Sequence, residues 1–347
     1  MVVGAPQDHH QLATMSRQWS VIMQAMAHAL QRPGATHDRD SLCHRSIAVI
    51  VPGLKARRQR FIPENASLFD HVSSRVYAVL PEHGMAVECR AVHEQDGGGG
   101  NVTVHVQFVG SGDSFGSGGR FQTCILVDGP GRRFTIDFGT SSLIALTQQG
   151  IAHNSIDAIL LTHLHGDHCG GVPFLLVDAM LAAKRTRPLL IAGPTGTQAR
   201  MQAICEALFP GMHVMTPTFP LTYLEWDVGQ PQQVLDLVVT PYPARHTWQT
   251  HPTALRVDVA GKVVAYTGDG EWTAELAKLG QDADLLIAES YFYSKPIKWH
   301  LNYPEFRAHK DDFGAKRIML THMSRDMLAH VHEVPEECAE DGLVVDV

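Results

Sequence analysis

No run of 18 apolar residues occurs anywhere in the chain, so no membrane span is expected. The nearest approach is Trp19–Leu30, where Gln24 and His28 interrupt the apolar character. That segment is too broken for the hydrophobic core of a signal peptide and reads instead as an amphipathic helix over about 17–31. Cysteine pairing is equally absent. The six cysteines, at 43, 89, 124, 169, 205 and 338, are scattered and none forms a Cys-x-x-Cys pair, which argues against a disulfide framework and for reduced thiols in the cytoplasm. Charge is sparse at 18% and the formal net is −8, which withholds the basic footprint usual for nucleic-acid binding. One short basic cluster, Lys55–Arg60, reads as a solvated face.

Hydrophobic residues make up 44% of the 347, enough for one large domain or two modest ones. Residues 1–100 form an N-terminal extension or small accessory domain without recognisable function, broken at Pro33-Gly34 and closed by Asp96 and four glycines, 97–100, that act as a flexible joint. Residues 101–347 carry sharper signals. Val102–Val109 alternates and is β-branched, predicting a strand. A glycine-rich loop, Gly110–Gly119, follows it. Thr123–Asp128 and Arg133–Asp137 flank Gly129-Pro130-Gly131, which predicts a hairpin. Helices are expected at about 141–149, 174–184 and 198–208, with a short strand at 189–192.

Against that background one heptapeptide stands out, Thr162-His-Leu-His-Gly-Asp-His168. The apolar run Ala158–Leu161 before it reads as a buried strand, and Gly166 is expected to let the chain turn sharply after it. A strand ending in a turn aims His163, His165, Asp167 and His168 into one pocket. Imidazole nitrogens and carboxylate oxygens without thiolate suit zinc or another borderline divalent ion. A single zinc needs about three protein ligands plus water. Four candidates in so short a space, with more downstream, point to two metals. Cys169, directly after them, is expected to pack rather than to bind.

Those residues resemble the metallo-β-lactamase superfamily, whose signature is His-x-His-x-Asp-His after a β-strand. Further elements occur in family order. Val238–Tyr242 leads to His246, Val263–Tyr266 leads to Thr267-Gly268-Asp269, and Arg317–Thr321 leads to His322. Upstream, Phe134–Gly139 matches the strand and aspartate that precede the signature. The resemblance implies an α/β (α+β) fold, a four-layer αββα sandwich with the metals at one edge between two sheets. It also implies a ligand set: His163, His165 and His246 for a first divalent ion, Asp167, His168 and His322 for a second, and Asp269 bridging both. Zinc is the expected metal, with Mn2+ or Fe2+ as alternatives.

Within the superfamily, Glu289 at the end of Leu285–Glu289 and His300 eleven residues later resemble a pair found in the phosphodiesterase branch, most familiarly ribonuclease Z. There the carboxylate orients an imidazole that helps to protonate the departing oxygen. Asp167, Glu289 and His300 are therefore the expected catalytic residues, with helix capping or substrate contact as the alternative for His300. Tyr291 and Tyr293 either line the pocket or pack in the core. By the same resemblance the glycine-rich loop lies at the mouth of the site.

The expected reaction is attack of metal-activated water on an ester, with a small phosphodiester such as a cyclic nucleotide as substrate. Ribonuclease Z inserts an RNA-gripping arm between its third-motif histidine and the bridging aspartate. Here His246 and Asp269 stand 23 positions apart, with Thr253–Val259 and Lys262–Tyr266 as a predicted hairpin between them, which leaves no room for the arm. Transfer-RNA 3′-end processing is the named competitor, and hydrolysis of a lactone or carboxylic ester on the same scaffold is another. No membrane partner is expected. A homodimer is compatible with the sequence.

Overall fold

The computed structural model describes residues 103–212 and 215–347, with the backbone of three strands nearer the N-terminus. The chain divides into two units, Met1–Gly98 and Gly99–Val347. In the first, β1 (Ile47–Ile50) pairs parallel with β2 (Val76–Val79), which pairs antiparallel with β3 (Ala86–Cys89). The helix expected at 17–31, the basic cluster Lys55–Arg60 and the glycines 97–100 lie outside the described residues.

The second unit is built on two seven-stranded sheets. In the first of these run β4 (His105–Gly110), β5 (Cys124–Gly129), β6 (Arg132–Ile136), β7 (Ala158–Leu160), β8 (Leu189–Gly193) and β9 (Leu221–Glu225). The other holds β10 (Gln232–Val234), β11 (Leu237–Pro243), β12 (Thr253–Val259), β13 (Lys262–Tyr266), β14 (Leu285–Glu289), β15 (Ile318–Thr321) and β16 (Glu337–Cys338). The last strand, β17 (Val344–Asp346), returns to the first sheet beside β4.

Period-two alternation explains how these strands stack into four layers. On β5, Ile125 and Val127 face a core shared by both sheets, where they meet Leu255, Val257, Val264 and Ile287. Their neighbours Cys124 and Leu126 face outward onto a second core. That core is closed by α1 (Ser142–Gln148), α3 (Val172–Leu181) and α4 (Thr197–Leu208) through Leu146, Leu176 and Met201; the short α2 (Gly166–Cys169) lies between the first two. On the far side α5 (Ala274–Gly280) and α6 (Tyr303–His309) set Leu276 and Phe306 over Ala265, Leu286 and Leu320. The short α7 (Arg325–Leu328) completes the set, with Met327 in the same core. Strands buried on both faces must be largely apolar, which is why β7 and β8 are hydrophobic runs and β14 is one up to its last residue, Glu289. Each fully buried Phe, Ile or Leu contributes about 1.5–3 kcal/mol.

The hairpin over 129–131 follows the sequence reading, and β6 runs on into a parallel pairing with β7. The helix expected at 174–184 begins two residues earlier and stops at Leu181, with Lys184 already in the left-handed region at φ 47°. Gly166 departs from expectation more instructively. It has no positive φ, and a Cβ there would meet nothing within 4 Å. The turn after β7 is made by the helical turn of α2 rather than by glycine's freedom.

Topology concentrates chemistry at one edge. β6, β7 and β8 are parallel neighbours in one sheet, and β13, β14 and β15 in the other. Ligands in such sheets gather beyond the carboxyl ends of the strands. Thr253 ties the two edges together, its N–H and hydroxyl both donating to the Thr162 carbonyl at 2.9 and 2.7 Å.

Candidate metal centre

All seven candidate ligands lie beyond strand ends at this edge, five on loops and two in the short helix α2. His163 and His165 follow β7, and Asp167 and His168 lie in α2. His246 follows β11, Asp269 follows β13 and His322 follows β15. Their ligating atoms form two groups in which all lie within 4.8 Å of one another: His163, His165 and His246 in the first, and Asp167, His168, Asp269 and His322 in the second. Asp269 also approaches the first group, its Oδ2 4.0 Å from His163 Nε2.

The first group holds three ring nitrogens with little between them. His163 Nε2 and His246 Nε2 each lie 3.1 Å from His165 Nδ1. The other nitrogen of His246 donates to the Trp299 carbonyl at 2.5 Å. His163 Nδ1 is matched to the Thr162 hydroxyl at 3.1 Å, and that hydroxyl in turn donates to Asp137. These partners fix the tautomers so that lone pairs point inward. Burial holds all three imidazoles below their ordinary value, with like charge from His168 on His163, from His246 on His165 and from His300 on His246 adding to it. Converging neutral imidazoles suit a cation of the zinc type.

The second group is rich in charge. Burial pushes Asp167 and Asp269 up, but His168 and His322 more than reverse it and hold both carboxylates anionic. The same carboxylates raise His168 and His322 well above the ordinary value against the effect of burial. His168 donates from Nδ1 to Asp137 at 2.7 Å, while its Nε2 is buried without a hydrogen-bond partner, 3.3 Å from Asp269 and 3.4 Å from Asp167. Asp269 Oδ1 is likewise buried and unpartnered. Among the described residues, Asp137, Asp167, Asp269 and Glu289 form ion pairs with histidines alone, never with lysine or arginine. Buried carboxylates with orphaned acceptor atoms fit divalent cations, which satisfy what no side chain here does.

Supporting residues complete the frame. Asp137, entirely buried at φ 60°, accepts from the Thr162 backbone N–H and hydroxyl, both at 2.8 Å, besides orienting His168. An aspartate tolerates that left-handed backbone better than most residues. His322 also sits at positive φ, 56°, with its N–H donating to the Ser111 carbonyl at 3.1 Å. A histidine in that region is strained by about 1–3 kcal/mol. Asp137→Asn keeps the volume but removes the anion behind His168. It is expected to weaken binding of the second metal by about 10–100-fold, as measured by competition with a chromophoric chelator.

Beside the ligands stands the Glu289–His300 pair. Glu289 is fully buried and accepts from Gly270 N–H at 3.0 Å, Leu301 N–H at 2.9 Å and His300 Nδ1 at 2.6 Å. Burial and the nearby Asp269 push Glu289 up, but His300 prevails and the carboxylate stays ionised. For His300 burial pulls downward and Glu289 overcomes it, leaving the imidazole raised. Its ring lies 5.1 Å from that of His246 and is backed by Tyr291, stacked at 4.5 Å and 21°. Of the two tyrosines singled out in the sequence, Tyr291 is therefore beside the site. Tyr293 stacks on His330 and Tyr303 in the outer layer instead. Cys169 is buried in the core under the first sheet.

The roles of Asp137, Ser111 and the Trp299 carbonyl were not foreseen from sequence. Asp137 alone left a signal, in the strand and aspartate ahead of the signature.

Comparison with known proteins agrees with this architecture. The sequence is 30% identical over 149 residues to ribonuclease Z of Lachnoclostridium phytofermentans, covering 42% of this chain and 46% of that one, so it spans about half of that relative's length. To ribonuclease Z of Methanosarcina acetivorans it is 24% identical over 268 residues, covering 64% and 88%. The metallo-β-lactamase fold protein YhfI of Bacillus subtilis superposes with a TM-score of 0.59 at 20% identity, over 71% of this chain and all of that one. Human tRNase Z, short form, gives 0.55 at 23% identity over 70% and 98%. These structures share the fold. The sequence family described as Anti-Pycsar protein Apyc1 matches residues 104–339. The chain thus has the metallo-β-lactamase fold in its ribonuclease Z-like branch, and it belongs to the Anti-Pycsar protein Apyc1 family.

Proposed function

We propose that the chain is a metal-dependent phosphodiesterase that cleaves a small phosphodiester of the cyclic-nucleotide kind. The observation that carries this reading is the Glu289–His300 pair at the edge of the seven clustered ligands. Divalent cations held by those ligands would lower the pKa of a water towards neutrality and supply positive charge to the reacting phosphodiester. The chain's own residues then serve the leaving group. With its Nδ1–H committed to Glu289, His300 gives up the proton on Nε2 as the P–O bond breaks, and that proton goes to the departing alkoxide oxygen. Glu289 fixes the ring and offsets its positive charge until the transfer. Its three hydrogen bonds, two of them from backbone, keep it from moving away.

Small substrates are favoured over transfer RNA by the short link from His246 to Asp269. A short 3-10 helix at Trp248–Thr250 and the β12–β13 hairpin fill it. A net charge of −8 adds no compensating basic character.

The test is a substrate panel on the full-length protein: 3′,5′-cyclic nucleotides, bis(p-nitrophenyl) phosphate, a precursor transfer RNA and aliphatic lactones, each with a chelator control. Chelator-sensitive turnover of the cyclic nucleotides above the other three is expected. Preference for the precursor RNA or for lactones would replace the reading with one of its competitors.

A further inference from the structure

Two cavities share the glycine-rich loop that follows β4. One, of about 360 Å3, is lined by the candidate ligands His165 and Asp167 together with Ser114. The other, of about 400 Å3, is lined by Asp113, Phe115, Tyr291, Phe292, Ser324 and Arg325. Consecutive residues 113–115 thus border both spaces. The second cavity is of ordinary size for a small-ligand site and has the usual make-up, aromatic walls with a few polar groups. Its Tyr291 wall is the ring stacked against His300.

Phe115 is the unusual feature. Its side chain is 76% exposed, yet the loop that carries it is held firmly. Fully buried Asp113 accepts from the N–H of Phe115 at 3.1 Å and from the N–H and hydroxyl of Ser117 at 2.9 and 2.8 Å. Gly118, at φ 68°, lies so close to Leu328 that a Cβ would come within 2.8 Å of its Cδ1. Ser111, in the same loop, holds the backbone N–H of candidate ligand His322. An apolar ring kept in water on a rigid loop gains nothing for folding. It is preorganised for something planar to lie against it, at a spacing from the metal ligands set by the shared loop.

We infer that the cavity between Phe115 and Tyr291 is the subsite for the nucleobase of the substrate, with the phosphodiester lying over the metal ligands next door. The assignment rests on the phosphodiesterase reading above and deepens it. Base-on-aromatic stacking tolerates any base, because every base has a π-face. Arg325 and Ser324 supply donors for ring carbonyls. Phe115 then sets affinity for substrates that carry a base, without touching the reacting atoms.

The experiment uses the metal-loaded full chain and compares calorimetric binding of a nucleoside 5′-monophosphate with that of ribose 5-phosphate. Wild type is expected to bind the nucleotide about tenfold more tightly, Phe115→Ala to lose that preference and Phe115→Tyr to keep it. Because Phe115 is exposed, its removal leaves the fold intact. Equal binding of the two ligands by wild type, or a preference that survives Phe115→Ala, overturns the subsite. So does a Phe115→Ala chain that changes mass on sedimentation and loses both ligands equally, which marks the ring as a contact between copies. Turnover of a base-free ribose cyclic phosphate by wild type separates the two levels. A chain that hydrolyses no phosphodiester yet shows the base preference retains the subsite and loses the phosphodiesterase reading.

Discussion

Asp269→Asn is expected to lower kcat by about a thousandfold while leaving the fold in place. The side chain keeps its volume and loses its charge at the point where the two ligand groups meet. Its Oδ1 lies 3.3 Å from His168 and its Oδ2 3.5 Å from His322 and 4.0 Å from His163, so it approaches both groups. A bridging anion is part of what makes metal-assisted displacement worth several kcal/mol, and each 1.36 kcal/mol is tenfold in rate. Circular dichroism should remain native, because Asp269 sits in a loop beyond β13 and not in a core layer. A near-normal rate from this variant would remove Asp269 from the mechanism.

His300→Ala comes next, with an expected loss of about 10²–10⁴ that depends on the leaving group. An alkoxide with a high pKa needs the proton, whereas a p-nitrophenolate leaves without it. Hydrolysis of an unactivated cyclic nucleotide should therefore fall far more than hydrolysis of bis(p-nitrophenyl) phosphate. Equal losses on both substrates would assign His300 to binding or to structure. Glu289→Gln should reproduce the pattern in weaker form, since an amide still accepts from Nδ1 but no longer raises the imidazole against the effect of burial.

That the seven candidate ligands gather was legible in the sequence because the motifs that carry the family resemblance each lie within a few residues of a strand end. A strand buried on both faces must end where its chain meets solvent, so polar residues just beyond Leu161, Tyr266 and Thr321 were bound to gather at one edge once those strands were parallel. The four-layer fold was implied by the resemblance those motifs carry, and the buried apolar runs of β7 and β14 agree with it. What the sequence concealed depends on neighbours distant along the chain. That Asp137 stands behind His168, or that the Trp299 carbonyl orients His246, follows from the strand order and from a positive-φ turn at Trp299, φ 68°, neither of which has a local signature. Gly166 illustrates the opposite error, in which residue type suggested a sharp turn and the chain made an ordinary helical one. Phe115 was hidden because an exposed aromatic in a glycine-rich loop looks like any loop residue until its cavity is seen.

The most direct measurement is the metal content of the purified full-length chain by plasma mass spectrometry, paired with turnover before and after chelation. The account predicts close to two divalent ions per chain, activity that disappears as they are removed, and recovery when zinc or manganese is restored. A chain stripped of metal that still works at full rate would contradict it.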